Sequence, residues 1–305
     1  MEVIARHGRE DLAMLYVGKT GAGSLLEFVE SVAPPTPREE KWVLIISTLK
    51  GCPVRCSMCD AGGNYQGPLS TAEILEQIDF MVTARYPNRV IPIPKFKVQF
   101  ARMGEPTLND AVFEVLQDLP QRYNAPGLMP CISTVLPRGR ERFFKTLKNL
   151  KDSLYPNGRF QLQFSLHTTD SKRRRRLINY PVMDFGDAAA MGENFHRPGD
   201  RKIALNFAAA KGYPIDPEIL IQHFDPSVFL VKITPLNPTE RVRVNGLRTQ
   251  INPADGQGSS EIVDVIRQAG YEVILSLGEP EEDVIGSNCG QYVNRYRPHQ
   301  EVTPV

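Results

Sequence analysis

No stretch of this sequence approaches the roughly 18–20 uninterrupted apolar residues that a membrane span needs. The opening residues, Met-Glu-Val-Ile-Ala-Arg-His-Gly-Arg-Glu-Asp, also lack the apolar core of an export signal. The expectation is a cytoplasmic protein with no membrane partner. An excess of one charge is missing too: 36 basic residues stand against 35 acidic ones, a net charge of +1. That balance gives no overall pull toward nucleic acid, so any RNA-binding surface has to be local. Cysteine is sparse, with five in 305 residues. An odd count without an export signal argues against a disulfide framework. There is no repeat at solenoid spacing and no low-complexity tract. What remains is ordinary globular composition, 41% hydrophobic and 23% charged, in a chain long enough for one large core or two modest ones.

Apolar, β-branched runs recur at residues 42–48, 96–101, 131–134, 160–166, 202–208, 228–233 and 271–276. Continuous runs of this kind predict strands covered on both faces. Helical patterns fall between them, at 109–119, 140–154, 217–224 and 259–269. Another starts at Ser70, where Ser70 and Glu73 form a capping box ahead of an apolar face of Ile74, Leu75, Ile78 and Val82. Alternation of this kind predicts an α/β fold with a mainly parallel sheet. Six or seven units are too few for a full eightfold barrel. The expected architecture is a partial (β/α)6 barrel with active residues at the carboxyl ends of its strands. Residues 12–17 and 25–32 predict a small N-terminal β-hairpin, and Pro34-Pro35-Thr36-Pro37 reads as a stiff linker. The division is therefore 1–38 for the β extension and linker, 39–280 for the barrel, and 281–305 for a polar tail.

Three of the five cysteines crowd into eight residues, as Cys52-Pro53-Val54-Arg55-Cys56-Ser57-Met58-Cys59, directly after a predicted strand. Thiolates are the ligands of iron–sulfur clusters, and three on one loop can hold three irons of a [4Fe–4S] cubane. The fourth iron is then open to chelate the amino and carboxylate groups of S-adenosylmethionine (SAM) and pass an electron to its sulfonium. A structural zinc site usually takes four ligands, and no fourth cysteine or histidine lies nearby.

Further motifs follow in order: Met103-Gly104-Glu105-Pro106 with Asn109 after the second strand, and Ser133-Thr134 at the end of the third. Ser165-Leu166-His167 ends the fourth, Leu236-Asn237-Pro238 follows the sixth, and Asn288-Cys289-Gly290-Gln291 lies near the end. Together with the cysteine triplet, this set resembles the radical SAM adenosine methyltransferases of ribosomal and transfer RNA, the RlmN/Cfr type, over roughly residues 25–293. The resemblance implies that Gly104 and Glu105 contact the SAM amino group. It implies that Ser133, Ser165, Leu166, His167 and Asn237 contact the ribose and methionine portions. Cys289 matches the methyl-carrying cysteine, which forms a covalent link to an sp² carbon such as an adenine carbon in RNA. Glu30, in Val29-Glu30-Ser31-Val32, matches the proton acceptor. An electron donor such as flavodoxin or ferredoxin is implied as partner.

Two features depart from that pattern. The family's second cysteine, seven residues before the first cluster ligand, releases product by attacking the carrier; here that position is Ile45. Cys131, two residues before Ser133 and so on the same strand face, is the remaining thiol that could substitute. The family's helical N-terminal accessory domain, which helps hold RNA, is also expected to be missing, because 51 residues precede Cys52. Residues 172–176, Lys-Arg-Arg-Arg-Arg, form a local basic cluster that either meets phosphates or is a solvated helix face. An RlmN-like enzyme acting on a small molecule or peptide without a methyl-cysteine intermediate is the alternative.

Overall fold

The computed structural model describes residues 1–32, 34–287 and 291–296. Within these, ten strands form one sheet in chain order. Three N-terminal strands, β1 (Glu2–Arg9), β2 (Ala13–Lys19) and β3 (Leu25–Ser31), run antiparallel to one another. β3 then pairs antiparallel with β4 (Lys41–Ile46). From there the sheet is parallel through β5 (Lys95–Phe100), β6 (Leu128–Thr134), β7 (Gln161–Ser165), β8 (Ile203–Ala209), β9 (Phe229–Pro235) and β10 (Val273–Leu275). Among the described residues β1 and β10 do not meet, so the barrel stays open. The N-terminal strands continue the barrel's own sheet.

The crossovers are α1 (Thr71–Arg85), α2 (Ala111–Arg122), α3 (Glu141–Leu154), α4 (Ser171–Leu177), α5 (Phe185–Phe195), α6 (Pro217–His223), α7 (Glu240–Val244) and α8 (Ser260–Gln268), with α9 (Pro280–Ile285) after β10. The capping box at Ser70 forms: its hydroxyl accepts from the Glu73 amide at 3.2 Å, and its own amide donates to the Glu73 carboxylate at 2.8 Å. The predicted face of α1 (Ile74, Leu75, Ile78, Val82) is buried.

Burial corrects one expectation. Strands β5 and β7 alternate: Phe96, Val98, Phe100, Leu162 and Phe164 are buried under the helices, whereas Lys95, Lys97, Gln99, Gln161 and Gln163 are half-exposed on the concave face. In these two strands the apolar layer therefore lies between sheet and helices and polar side chains face the lumen, whereas β6 and β8 are buried almost throughout, as expected.

Three of the elements that escape the periodicity reading do so for identifiable reasons. β1 is an edge strand whose side chains are at most half-buried, so it carries no apolar signature. Helix α5 contains Gly192, a poor helix residue. A Cβ there would lie 2.5 Å from the Phe229 ring, so tertiary packing selects glycine over propensity. Helix α9 is short and acidic; its Ile285, with Val293 beyond it, is buried and covers the concave side of β2 and β3.

Candidate active site

The loop after β4 carries the cysteine triplet to the carboxyl end of the sheet, and it is tied down by its neighbours. The Ser57 amide and hydroxyl donate to the Leu177 and Arg176 carbonyls of α4, each at 2.8 Å. On the other side Asn245 donates to the Ser57 carbonyl at 2.8 Å, and the Thr239 hydroxyl to the Met58 carbonyl at 2.9 Å. Asp60 accepts from the Arg241 amide at 2.9 Å and the Glu240 amide at 3.1 Å at the start of α7.

A cavity of about 230 Å³ opens beside this loop, and the three cysteines line it together with Gly104, Glu105, Ser133, Ser165, His167 and Asn237. Residues from six parallel strands and their following loops thus converge, as a barrel places its ligand. Gly104 sits at φ +98°, and a Cβ there would lie 2.5 Å from the Leu49 Cβ; the turn admits only glycine. Glu105 is buried, its carboxylate accepting from the Val135 amide (2.9 Å), the Thr107 amide (3.1 Å) and the Thr107 hydroxyl (2.8 Å). Asn109 is a tether, donating to the Thr48 and Leu69 carbonyls at 2.8 Å each. His167 holds a left-handed φ of 66°, and its Nδ1 accepts from the Ala208 amide at 3.3 Å. Such strain in a non-glycine residue is typical of sites where geometry is imposed by function. Burial, then the nearby Arg174 charge, lower its pKa to about 3, so the imidazole is neutral.

The electrostatics call for a cation. Burial, opposed in part by nearby backbone N–H groups and reinforced by the Glu105 charge, pushes the Cys52 thiol up to about 11. Burial, reinforced by Cys59, Cys52 and Glu105, raises Cys56 well above the usual thiol range. Glu105 is raised by burial as well, against the hydrogen bonds it accepts. Asn206, at the end of β8, presents a buried Oδ1 with no hydrogen-bond partner among the described residues, and it lines the same cavity. Two thiols, Cys52 and Cys56, and a carboxylate that resist ionisation, beside an acceptor with nothing to accept, fit the positively charged core of an iron–sulfur cluster and the ammonium and hydroxyls of SAM. No three His, Cys, Asp or Glu side chains among the described residues close around a single ion; a cubane needs its thiolates spread more widely than one ion does.

Sequence reasoning missed Asn206, although it is the one polar residue in the run Ile-Ala-Leu-Asn-Phe-Ala-Ala of β8. It also missed Arg102, which lines the cavity rim. Arg102 pairs with the buried Glu27 at 2.5 Å and donates to the Gly286 and Ser287 carbonyls at 2.6 and 2.8 Å. Glu27 in turn accepts from the Val293 amide at 2.8 Å. One buried ion pair thus fastens the chain on both sides of residues 288–290. Cys289 itself lies outside the described residues.

Not every expected residue reaches the cavity. Leu166 is fully buried beside it and offers only its backbone, whose amide donates to the Asn206 carbonyl at 3.0 Å. Glu30 points to the helical side of the sheet. There its carboxylate accepts from Arg85 at 2.5 and 3.0 Å, Tyr16 at 2.6 Å and Trp42 at 3.1 Å. Strand alternation explains the difference: Glu30 shares a face with Leu44, whereas Glu27 and Val29 share the concave face with Ile45. Ile45 is half-exposed there. Cys131 is buried lower on that face, its thiol facing the Met129 carbonyl at 3.6 Å, and burial raises its pKa.

The Probable dual-specificity RNA methyltransferase RlmN of Chlorobium phaeobacteroides (strain BS1) is 30% identical over 285 residues, covering 87% of this chain and 70% of that protein. The chain belongs to the RlmN family. The Probable dual-specificity RNA methyltransferase RlmN of Thermus thermophilus is 24% identical over 295 residues, covering 92% of this chain and 76% of that protein. Among solved structures, a radical SAM methyltransferase from Sphaerobacter thermophilus superposes with a TM-score of 0.70 at 19% identity, over 90% of this chain and 76% of that one. That likeness confirms the open α/β architecture. No family model matches the chain. RlmN-family membership makes the protein a radical SAM enzyme of the methyltransferase type, with SAM and a [4Fe–4S] cluster as the family's cofactors. No helix among the described residues is long and apolar enough to cross a membrane.

Proposed function

We propose that the chain holds a [4Fe–4S] cluster on Cys52, Cys56 and Cys59 and methylates an sp² carbon through a methyl group carried on Cys289. The observation that carries this reading is the convergence of the three thiols, Gly104, Glu105, Ser133, Ser165, His167 and Asn237 on one cavity. When bound, the cluster supplies the electron that cleaves SAM to methionine and a 5′-deoxyadenosyl radical. Glu105 pairs with the SAM ammonium, a charge-assisted contact that offsets the carboxylate's burial. Ser133, Ser165, Asn206 and Asn237 meet its remaining polar groups, while His167, being neutral, adds no charge beside the sulfonium. The Arg102–Glu27 pair holds the flanks of the Cys289 segment at the cavity rim.

RNA is the proposed substrate class, after the RNA methyltransferase names of the relatives, and an adenine carbon is the proposed acceptor. Helix α4 supports it: Lys172, Arg173, Arg175 and Arg176 are exposed next to the cysteine loop. Release of product proceeds differently from the two-cysteine route, since Ile45 has no thiol and Cys131 is a buried, poorly ionising one. A one-electron donor of the flavodoxin or ferredoxin type completes the proposed partners.

The test is peptide mass spectrometry of anaerobically reconstituted protein after incubation with SAM and reductant. A methyl or methylene adduct on Cys289, absent in Cys289→Ala, is expected. Formation of 5′-deoxyadenosine with Cys289 unmodified sinks the carrier mechanism and favours a radical reaction on a small molecule or peptide.

A further inference from the structure

Below the cofactor cavity, toward the amino ends of the strands, the concave face carries an arrangement that the radical chemistry does not use. Lys41 on β4 stands directly opposite Lys95 on β5, and Lys97 follows two residues on, on the same face. Neighbouring strands lie about 4.8 Å apart, and like charges placed directly opposite are destabilising. Burial lowers the Lys41 pKa, and Lys97 and Lys95 lower it further. Burial lowers Lys95 as well, followed by Lys97 and Arg201, against a small opposing effect of Cys131. Among the described residues neither Lys41 nor Lys95 makes an ion pair or a side-chain hydrogen bond. Lys97 donates to the Gln161 carbonyl oxygen at 3.0 Å, a neutral partner. The concentration is not a by-product of a basic chain, which balances 36 basic against 35 acidic residues.

We propose that Lys41, Lys95 and Lys97 form an anion site at the amino end of the open barrel that takes a phosphoryl group. Three ammonium groups on a concave face, with the Gln161 amide beside them, suit a doubly charged tetrahedral oxyanion with several acceptor oxygens. A bound phosphoryl group converts the mutual repulsion of the lysines into three attractive contacts. Lys97 lies four residues below Ala101, which lines the cofactor cavity, a separation of about 13 Å along the strand. A sugar phosphate held by the lysines would therefore extend toward the cavity, whereas free phosphate would not. The site does not depend on the role given to Cys289.

The test is thermal unfolding of the full chain, with and without inorganic phosphate or ribose 5-phosphate, against sodium chloride of equal ionic strength. At saturating ligand the wild type should gain roughly 3–5 °C, and the Lys41→Met/Lys95→Met double variant should gain nothing. Without ligand, that variant should unfold at or above the wild-type midpoint, because the repulsion is gone. Lys145→Met, an exposed lysine on α3, serves as control and should keep the full shift. A larger shift with ribose 5-phosphate assigns the site to a phosphorylated substrate, and equal shifts assign it to free phosphate. Equal gains in wild type and double variant, or a double variant less stable than wild type without ligand, overturn the proposal.

Discussion

At the residue scale, the two carboxylates of β3 separate cleanly into different jobs. Glu30→Gln removes the charged partner of Arg85, and a loss of about 2 kcal/mol is expected in denaturant unfolding, since hydrogen bonds to charged groups of this kind are worth that much. Its rate of SAM cleavage should stay within twofold of wild type; a large loss of cleavage in folded protein would restore Glu30 to the reaction. Glu27 and Arg102 are both almost fully buried. Truncating one partner of such a pair typically costs about 3–5 kcal/mol. Arg102→Met should therefore destabilise strongly, while Arg102→Lys retains the charge and recovers part of the loss. The diagnostic readout is Cys289 alkylation in cluster-free folded protein, expected to change in Arg102→Lys and not in Glu30→Gln. The motif residues were legible because their chemistry is written in residue type and order. Asn206 and Arg102 were not, because each acts through neighbours that only the fold supplies.

At the element scale, helix α4 divides the basic cluster in two. Arg174 is buried, donates to the Met183 and Val135 carbonyls at 2.5 and 3.1 Å, and lies 5.5 Å from the Phe185 ring centre. Lys172, Arg173, Arg175 and Arg176 face outward. Neutralising those four should leave the melting temperature nearly unchanged and weaken RNA binding at low salt, with a shallower salt dependence. Arg174→Met should do the reverse, costing about 2 kcal/mol of stability through two orphaned carbonyls; equal effects of the two changes on binding would contradict this division. Residue identity alone cannot make that distinction, because five consecutive basic residues look alike until the helix is placed. Helix α5 teaches the same lesson from the other side. Gly192→Ala should destabilise by about 1–3 kcal/mol through its clash with Phe229, although alanine is the better helix former.

At the scale of the whole molecule, the order of strands and helices was legible from alternating patterns, as was the open, partial barrel. The polar concave faces of β5 and β7 were not. β5 reads as an apolar strand when Phe96, Val98 and Phe100 are weighed, yet Lys95, Lys97 and Gln99 between them line the concave face. The continuity of the N-terminal strands with the barrel was equally hidden, because pairing of β3 with β4 is a long-range register that no local pattern encodes. This continuity places Glu27 on the same face as Ile45 and brings the C-terminal segment to the cavity rim.

The central claim is that Cys52, Cys56 and Cys59 together present a cluster to SAM in the cavity at the carboxyl ends of the strands. It is tested most directly by quantifying 5′-deoxyadenosine from SAM and dithionite with anaerobically reconstituted protein. Wild type and Cys131→Ala should both produce it, and single alanine variants of Cys52, Cys56 and Cys59 should each produce none while remaining folded. Undiminished 5′-deoxyadenosine from any of those three variants would contradict the claim.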